Sequence, residues 1–194
     1  MKETLACKVV HRRAEAKRGR CCRYSSYRGG ISEVPGNLLK RNFFADAPNE
    51  KWLTDITEFK IPAGKVYLSF IVERFDGMVI SWVMSTSPDA ELANSSLDAA
   101  IKTLGSDEHP IYHSDCRCHY RWPGWIKRCN ANGIRRSLSK KGSSPDNSAC
   151  EGLLKRMKVE MFFGRSWAGW SIGNFMDILD CYIHWYNEQR IRVS

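Results

Sequence analysis

The sequence predicts an α/β domain built on a mixed five-stranded sheet flanked by helices on both faces. Three observations carry this. Residues 52–84 read as three consecutive strands with no helical periodicity between them. From Ser87 onward, stripes of helical spacing alternate with short apolar runs. The chain has 194 residues, 43% of them hydrophobic, which is enough for one full core plus a tail.

Residues 52–61 alternate, with Leu53, Asp55, Thr57 and Phe59 on one side. Residues 66–72 form an apolar run of β-branched and aromatic residues. Asp76-Gly77 then signals a two-residue hairpin into a third strand at 79–84. Ser87-Pro88-Asp89 opens a helix whose stripe is Ala93, Leu97, Ala100, Ile101 and Leu104, and Gly105 stops it. A short strand at 110–113 leads to Asp115. A helix at 122–132 ends at Gly133, and a fifth strand covers 134–138. Residues 139–146 are rich in Ser, Lys, Gly and Pro, the composition of a mobile loop. A helix follows over 148–162, burying Leu153, Leu154, Met157 and Met161. A last one covers 171–188, with Ile172, Phe175, Leu179, Tyr182 and Tyr186 at core spacing.

The net charge of +9 points to a polyanionic partner, nucleic acid first. Most of it lies in residues 1–43, where 11 Lys and Arg stand against three Glu. The expected organisation is a basic arm over 1–47 and a globular core over 48–194. In the arm, Tyr24, Tyr27, Phe43 and Phe44 are interleaved with cations. That mixture suits stacking on bases, or equally docking of Phe43-Phe44 onto the body. No apolar run is long enough to span a bilayer and residues 1–20 are charged throughout, so a cytoplasmic protein is expected. Eight cysteines are then read as thiols. His113, Cys116, Cys118 and His119 invite a zinc site, but Cys-x-Cys-His lacks the usual Cys-x₂₋₄-Cys spacing, and half-buried thiols are the simpler reading.

Three acids stand in particular settings. Asp55 lies among apolar strand residues, where a carboxylate is costly to bury without a compensating cation. Asp115 ends a short strand, the usual place for sites in open α/β sheets. Glu151 heads a helix, with 35 residues between it and Asp115. Carboxylates are the ligands Mg²⁺ and Mn²⁺ prefer, and two such ions about 3.5–4 Å apart clamp the attacking and leaving oxygens of phosphoryl transfer. Three gathered carboxylates repel one another, so metal would organise the site. The plainer alternative is an ion-paired Asp55, a turn Asp115 and a surface Glu151. Lys155 and Lys158 follow Glu151 at i+4 and i+7, on the same helix face, where they could greet a phosphate or simply be solvated.

The wording of five segments goes further. Residues 45–59 (ADAPNEKWLTDITEF), 75–82 (FDGMVISW), 113–115 (HSD), 136–151 (RSLSKKGSSPDNSACE) and 182–190 (YIHWYNEQR) resemble, in this order, the OrfB-type transposases of the insertion-sequence family numbered three. The likeness covers residues 24–194. It implies a ribonuclease-H-like fold and a site of the Asp-Asp-Glu type in which Asp55, Asp115 and Glu151 bind two Mg²⁺ (or Mn²⁺) ions. Water and then a DNA 3′-hydroxyl would attack a phosphodiester, cleaving DNA and transferring strands. It further implies that Lys158 contacts the element's end, that Asn147 shapes the loop, and that the chain acts as a homo-oligomer on element ends and target DNA. Four departures bear on this. Arg117 stands where the family has glycine, and if that position needs a positive φ it costs roughly 1 kcal/mol or more and would displace Asp115. Leu153-Leu154 replaces an aromatic pair, and Glu73 replaces a common aspartate. The family's end-recognising helix-turn-helix is not in the sequence, which would make this a catalytic-core fragment. A spoiled site would leave a non-catalytic DNA-binding remnant. A structure-selective nuclease of similar fold would hydrolyse branched DNA without joining strands.

Overall fold

The central strand, β1 (Lys51–Ile61), pairs antiparallel with β2 (Gly64–Glu73) on one side and parallel with β4 (Ile111–Ser114) on the other. The computed structural model describes residues 35–115, 118–139 and 147–190, and only the backbone of residues 118 and 119. β3 (Val79–Ser85) lies outside β2, and β5 (Arg135–Leu138) runs parallel to β4, giving the order β3-β2-β1-β4-β5. The expected five-stranded mixed sheet is therefore the one found.

Alternation along β1 divides two cores. Trp52 and Ile56 face α1 (Ala90–Ile101) and α2 (Pro123–Ala131), packing with Leu97, Tyr120 and Trp125. Leu53, Phe59 and Ile61 face α3 (Ser148–Met157) and α4 (Ile172–Glu188), packing with Leu153, Met157, Phe175 and Leu179. Leu153 and Leu154 are both buried there, so the core absorbs the missing aromatic pair. By the two-residue strand period, Asp55 belongs to the α3/α4 face.

The β2–β3 connection differs from the expected two-residue hairpin. Glu73 N–H donates to the Met78 carbonyl at 2.9 Å, leaving four residues in the loop, with Gly77 at φ +72°. The cause is the Glu73 carboxylate, which accepts from the Phe75 and Asp76 amides at 2.8 and 3.1 Å and stabilises the wider turn. The two-residue turn falls between β1 and β2 instead, at Pro62-Ala63, where Ile61 pairs with Gly64.

Asp89 caps α1 by accepting from the Leu92 amide at 3.0 Å, as Ser87-Pro88-Asp89 predicts. The helix ends near Ile101, a turn before Gly105. The helix expected over 148–162 changes character at Met157. Its last five residues, Lys158–Phe162, form a wider π turn. Glu160 in that turn accepts from Arg190 at 2.9 Å and from the Tyr182 hydroxyl at 2.6 Å, tying it to α4. Asn187, also on α4, accepts from the Val79 amide at 2.9 Å and donates to the Val79 carbonyl at 2.8 Å, so one side chain caps the start of edge strand β3.

Before β1, Leu39 and Ala45 are buried and Phe43 is half-buried against the α3/α4 core, whereas Phe44 is 71% exposed. Of the aromatic pair, Phe43 docks and Phe44 does not. Tyr24 and Tyr27 lie outside the described residues.

Candidate active site

The parallel β1–β4 register sets the first two acids. Leu53 pairs with His113, the last pair of that register, and Asp55 and Asp115 each lie two residues beyond it. Adjacent strands are about 4.8 Å apart. Asp55 is 6% exposed, and its Oδ1 accepts from the Ile56 amide at 2.7 Å. Asp115 follows the end of β4 and is half-buried. Ser139 N–H donates to the Ser114 carbonyl at 3.0 Å, holding the end of β5 alongside.

Glu151 lies in the first turn of α3 and is exposed, one residue after the buried Cys150. That thiol reports on the whole group. Burial pushes it up first, the negative charges of Asp55, Asp115 and Glu151 add to the rise, and the Arg74 guanidinium opposes them. One buried atom thus feels all three acids. On the opposite face, burial pushes the Tyr120 hydroxyl up, with Tyr112, Asp55 and Asp115 adding to it. Among the described residues, no three His, Cys, Asp or Glu side chains already stand close enough to share one ion. The donor set is nevertheless all carboxylate oxygen, the chemistry of Mg²⁺ and Mn²⁺, on converging elements, and in that respect it fits such an ion.

The lysines divide. Lys155 is exposed one turn beyond Glu151. Lys158 is half-buried, with its ammonium 5.4 Å from the centroid of the Phe59 ring. Phe59 is four residues along β1 from Asp55, about 13 Å, and Glu151 to Lys158 spans about 10.5 Å of helix, so α3 runs along β1 from the acids. Asn147 precedes α3 and is 5% exposed. It makes no side-chain cap, and its Oδ1 has no hydrogen-bond partner among the described residues.

Residues 45–144 match the integrase core domain family. The chain is 54% identical over 172 residues to the probable transposase for insertion sequence element IS1353 of Shigella flexneri, covering 89% of this chain and 34% of that protein. It is 35% identical over 200 residues to a transposase-like protein of Haemophilus influenzae, covering 99% of this chain and 90% of that one. The chain belongs to the integrase core family of insertion-sequence transposases. It spans about a third of the Shigella relative's length. A structure of the HTLV-2 integrase catalytic core domain in complex with magnesium, in trimeric form, superposes with a TM-score of 0.56 at 18% identity, covering 76% of this chain and 90% of that one. This likeness shows the ribonuclease-H-like fold.

In this family member, Arg117 and residues 140–146 lie outside the described residues, as does Cys116 of the zinc reading. His113 is buried, its Nδ1 bonded to Ser137 Oγ at 2.8 Å and its ring edge-on to Phe43. Sequence reasoning missed Tyr120 as a neighbour of Asp55 and Asp115. Tyr120 directly follows His119, the last residue of the zinc reading. Among the described residues, no helix is long and apolar enough to cross a membrane.

Proposed function

We propose that this chain is the catalytic core of a transposase that cleaves DNA and joins 3′-hydroxyl ends to a target strand, with Asp55, Asp115 and Glu151 as its catalytic and metal-binding residues. The observation that carries this reading is the β1–β4 pairing, which ends two residues before both Asp55 and Asp115, together with the place of Glu151 in the first turn of α3, whose buried side packs into the core that β1 lines. The three carboxylates would hold two Mg²⁺ or Mn²⁺ ions, which when bound supply Lewis-acid charge to the attacking and leaving oxygens.

The rest is the work of the protein. Asp55 is held within β1 by its pairing with β2, and Asp115 follows directly on the end of β4. Glu151, exposed on a helix turn, is the carboxylate free to adjust as a DNA strand arrives. Lys155 is suited to neutralise a phosphate beside the acids, and Lys158 one farther along the strand, consistent with contact to the element's end. Asn147 would shape the loop before α3 on the DNA side. Residues 1–47 would supply the basic arm that precedes the core of 48–194, its segment 37–45 being folded against that core. The expected setting is a homo-oligomer on element ends and target DNA in the bacterial cytoplasm, near the nucleoid.

The test is strand-joining reversal on a branched DNA with Mg²⁺ or Mn²⁺, beside an Asp55→Asn control. Metal-dependent resolution that the control lacks supports the reading. DNA binding without resolution, under both metals, contradicts it.

A further inference from the structure

Residues 37–45 form a turn held at both ends. Leu39 and Ala45 are buried, and Phe43 lies edge-on to His113 with ring centroids 6.4 Å apart. Leu38 N–H donates to Ser137 Oγ at 2.9 Å, Asn42 N–H to the Leu39 carbonyl at 2.8 Å, and Arg74 Nε to the Phe43 carbonyl at 3.2 Å. Lys51 also donates to the Phe44 carbonyl. At the top of this anchored turn, Lys40 and Arg41 are consecutive exposed residues with φ +48° and +68°.

Positive φ at a residue with a β carbon is uncommon and is tolerated best by Asn, Asp or Gly. Here two long cations occupy it in succession. Such strained positions persist where the surrounding structure over-determines them, and they cluster at functional sites. The anchors say which site. Phe43 packs on the residue two before Asp115, and Arg74, which holds the Phe43 carbonyl, is close enough to Cys150 for its charge to reach the thiol beside Glu151. The turn is thus anchored on β4 and β5, at His113 two residues before Asp115 and at Ser137, while Lys155 stands on α3.

Building on the DNA reading, we propose that Lys40 and Arg41 form a phosphate-binding turn that receives a DNA backbone beside the acidic site. Three carboxylates repel a polyanion, and a second cationic flank would hold the strand across them. The anchors hold the backbone of the turn in place before DNA arrives.

The experiment is salt-dependent binding of a short DNA duplex, followed by fluorescence anisotropy between about 50 and 200 mM salt, for the wild type, Lys40→Asn/Arg41→Asn, and Lys102→Asn as a control away from this face. Each phosphate contact contributes about 0.9 to the slope of log K against log salt, so the double variant is expected to lower the slope by about 1.8. Lys102→Asn should leave it near the wild-type value. Because Asn accepts positive φ, the double variant should also melt no lower than the wild type. Should it melt lower, Lys40→Gln/Arg41→Gln provides the same slope test with β-carbon side chains like the originals. An unchanged slope in folded double variants overturns the proposal. If the wild type itself shows no salt-dependent binding, the DNA reading fails, and this inference with it.

Discussion

Glu160 is a residue whose removal should be felt across the helical face. Its carboxylate takes Arg190 Nη2 at 2.9 Å, Arg190 Nε at 3.4 Å and the Tyr182 hydroxyl at 2.6 Å, and the Arg190 and Glu160 side chains are 21% and 30% exposed. A hydrogen bond to a charged group contributes roughly 1.5–3 kcal/mol, and partial exposure screens it, so Glu160→Ala is expected to cost about 2 kcal/mol. For a chain of this size each kcal/mol moves Tm by about 2–4 °C, so thermal unfolding should shift down by about 4–8 °C. Glu160→Gln keeps an acceptor for Tyr182 and should lose about half as much. The pH dependence has a fixed sign. The Arg190 hydrogen bond holds the Glu160 carboxyl below the usual carboxylate range, so its contribution is complete above the ordinary pKa of 4.5 and is lost as pH falls through the lowered folded value. The wild type should lose stability over that acid window faster than Glu160→Gln. A Glu160→Ala protein that melts within about 1 °C of the wild type would refute the view that this clamp ties the π turn to α4.

Other outcomes are as specific. Gly133→Ala places a β carbon 2.6 Å from His109 Nδ1 at a residue with φ +66°, and should destabilise by about 2 kcal/mol, read by chemical denaturation. Asn187→Ala removes both bonds to Val79 and should cost about 1–2 kcal/mol, with faster hydrogen exchange at the Val79 amide as its local signature. Lys155→Ala and Lys158→Ala should each weaken DNA binding and flatten its salt slope by about 0.9. Lys158→Ala should in addition lower stability by about 0.5–1 kcal/mol through loss of its place over the Phe59 ring, seen as a lower Tm.

The elements were legible where local chemistry decides them. Alternation along β1 separated Leu53 and Phe59 from Trp52 and Ile56, and Asp89 declared the start of α1 by its cap. What the sequence could not show was contact between distant residues. Asp76-Gly77 read as a two-residue hairpin because the Glu73 side chain, which widens the turn, looks like any strand-end acid. The helix expected to run to residue 162 gives way to a π turn tied down by Arg190, 30 residues away in sequence. For the site, residue types and motif order pointed to Asp55, Asp115 and Glu151. The proposed site would depend on the parallel pairing of β1 with β4, set by packing on both faces of the sheet, which no local pattern encodes. Lys158 was expected on the face of Glu151, and its position over Phe59 follows only once α3 is laid along β1.

The most direct test of the central claim, that these three carboxylates together hold the metal of a phosphoryl-transfer site, is to exchange them one at a time for a softer ligand. Asp55→Cys, Asp115→Cys and Glu151→Cys would be assayed for metal-dependent resolution of branched DNA with Mg²⁺ and then with Mn²⁺, which accepts thiolate more readily. The account expects each variant to be inactive with Mg²⁺ and at least one aspartate variant to regain activity with Mn²⁺. Variants that keep wild-type activity with Mg²⁺ would contradict it.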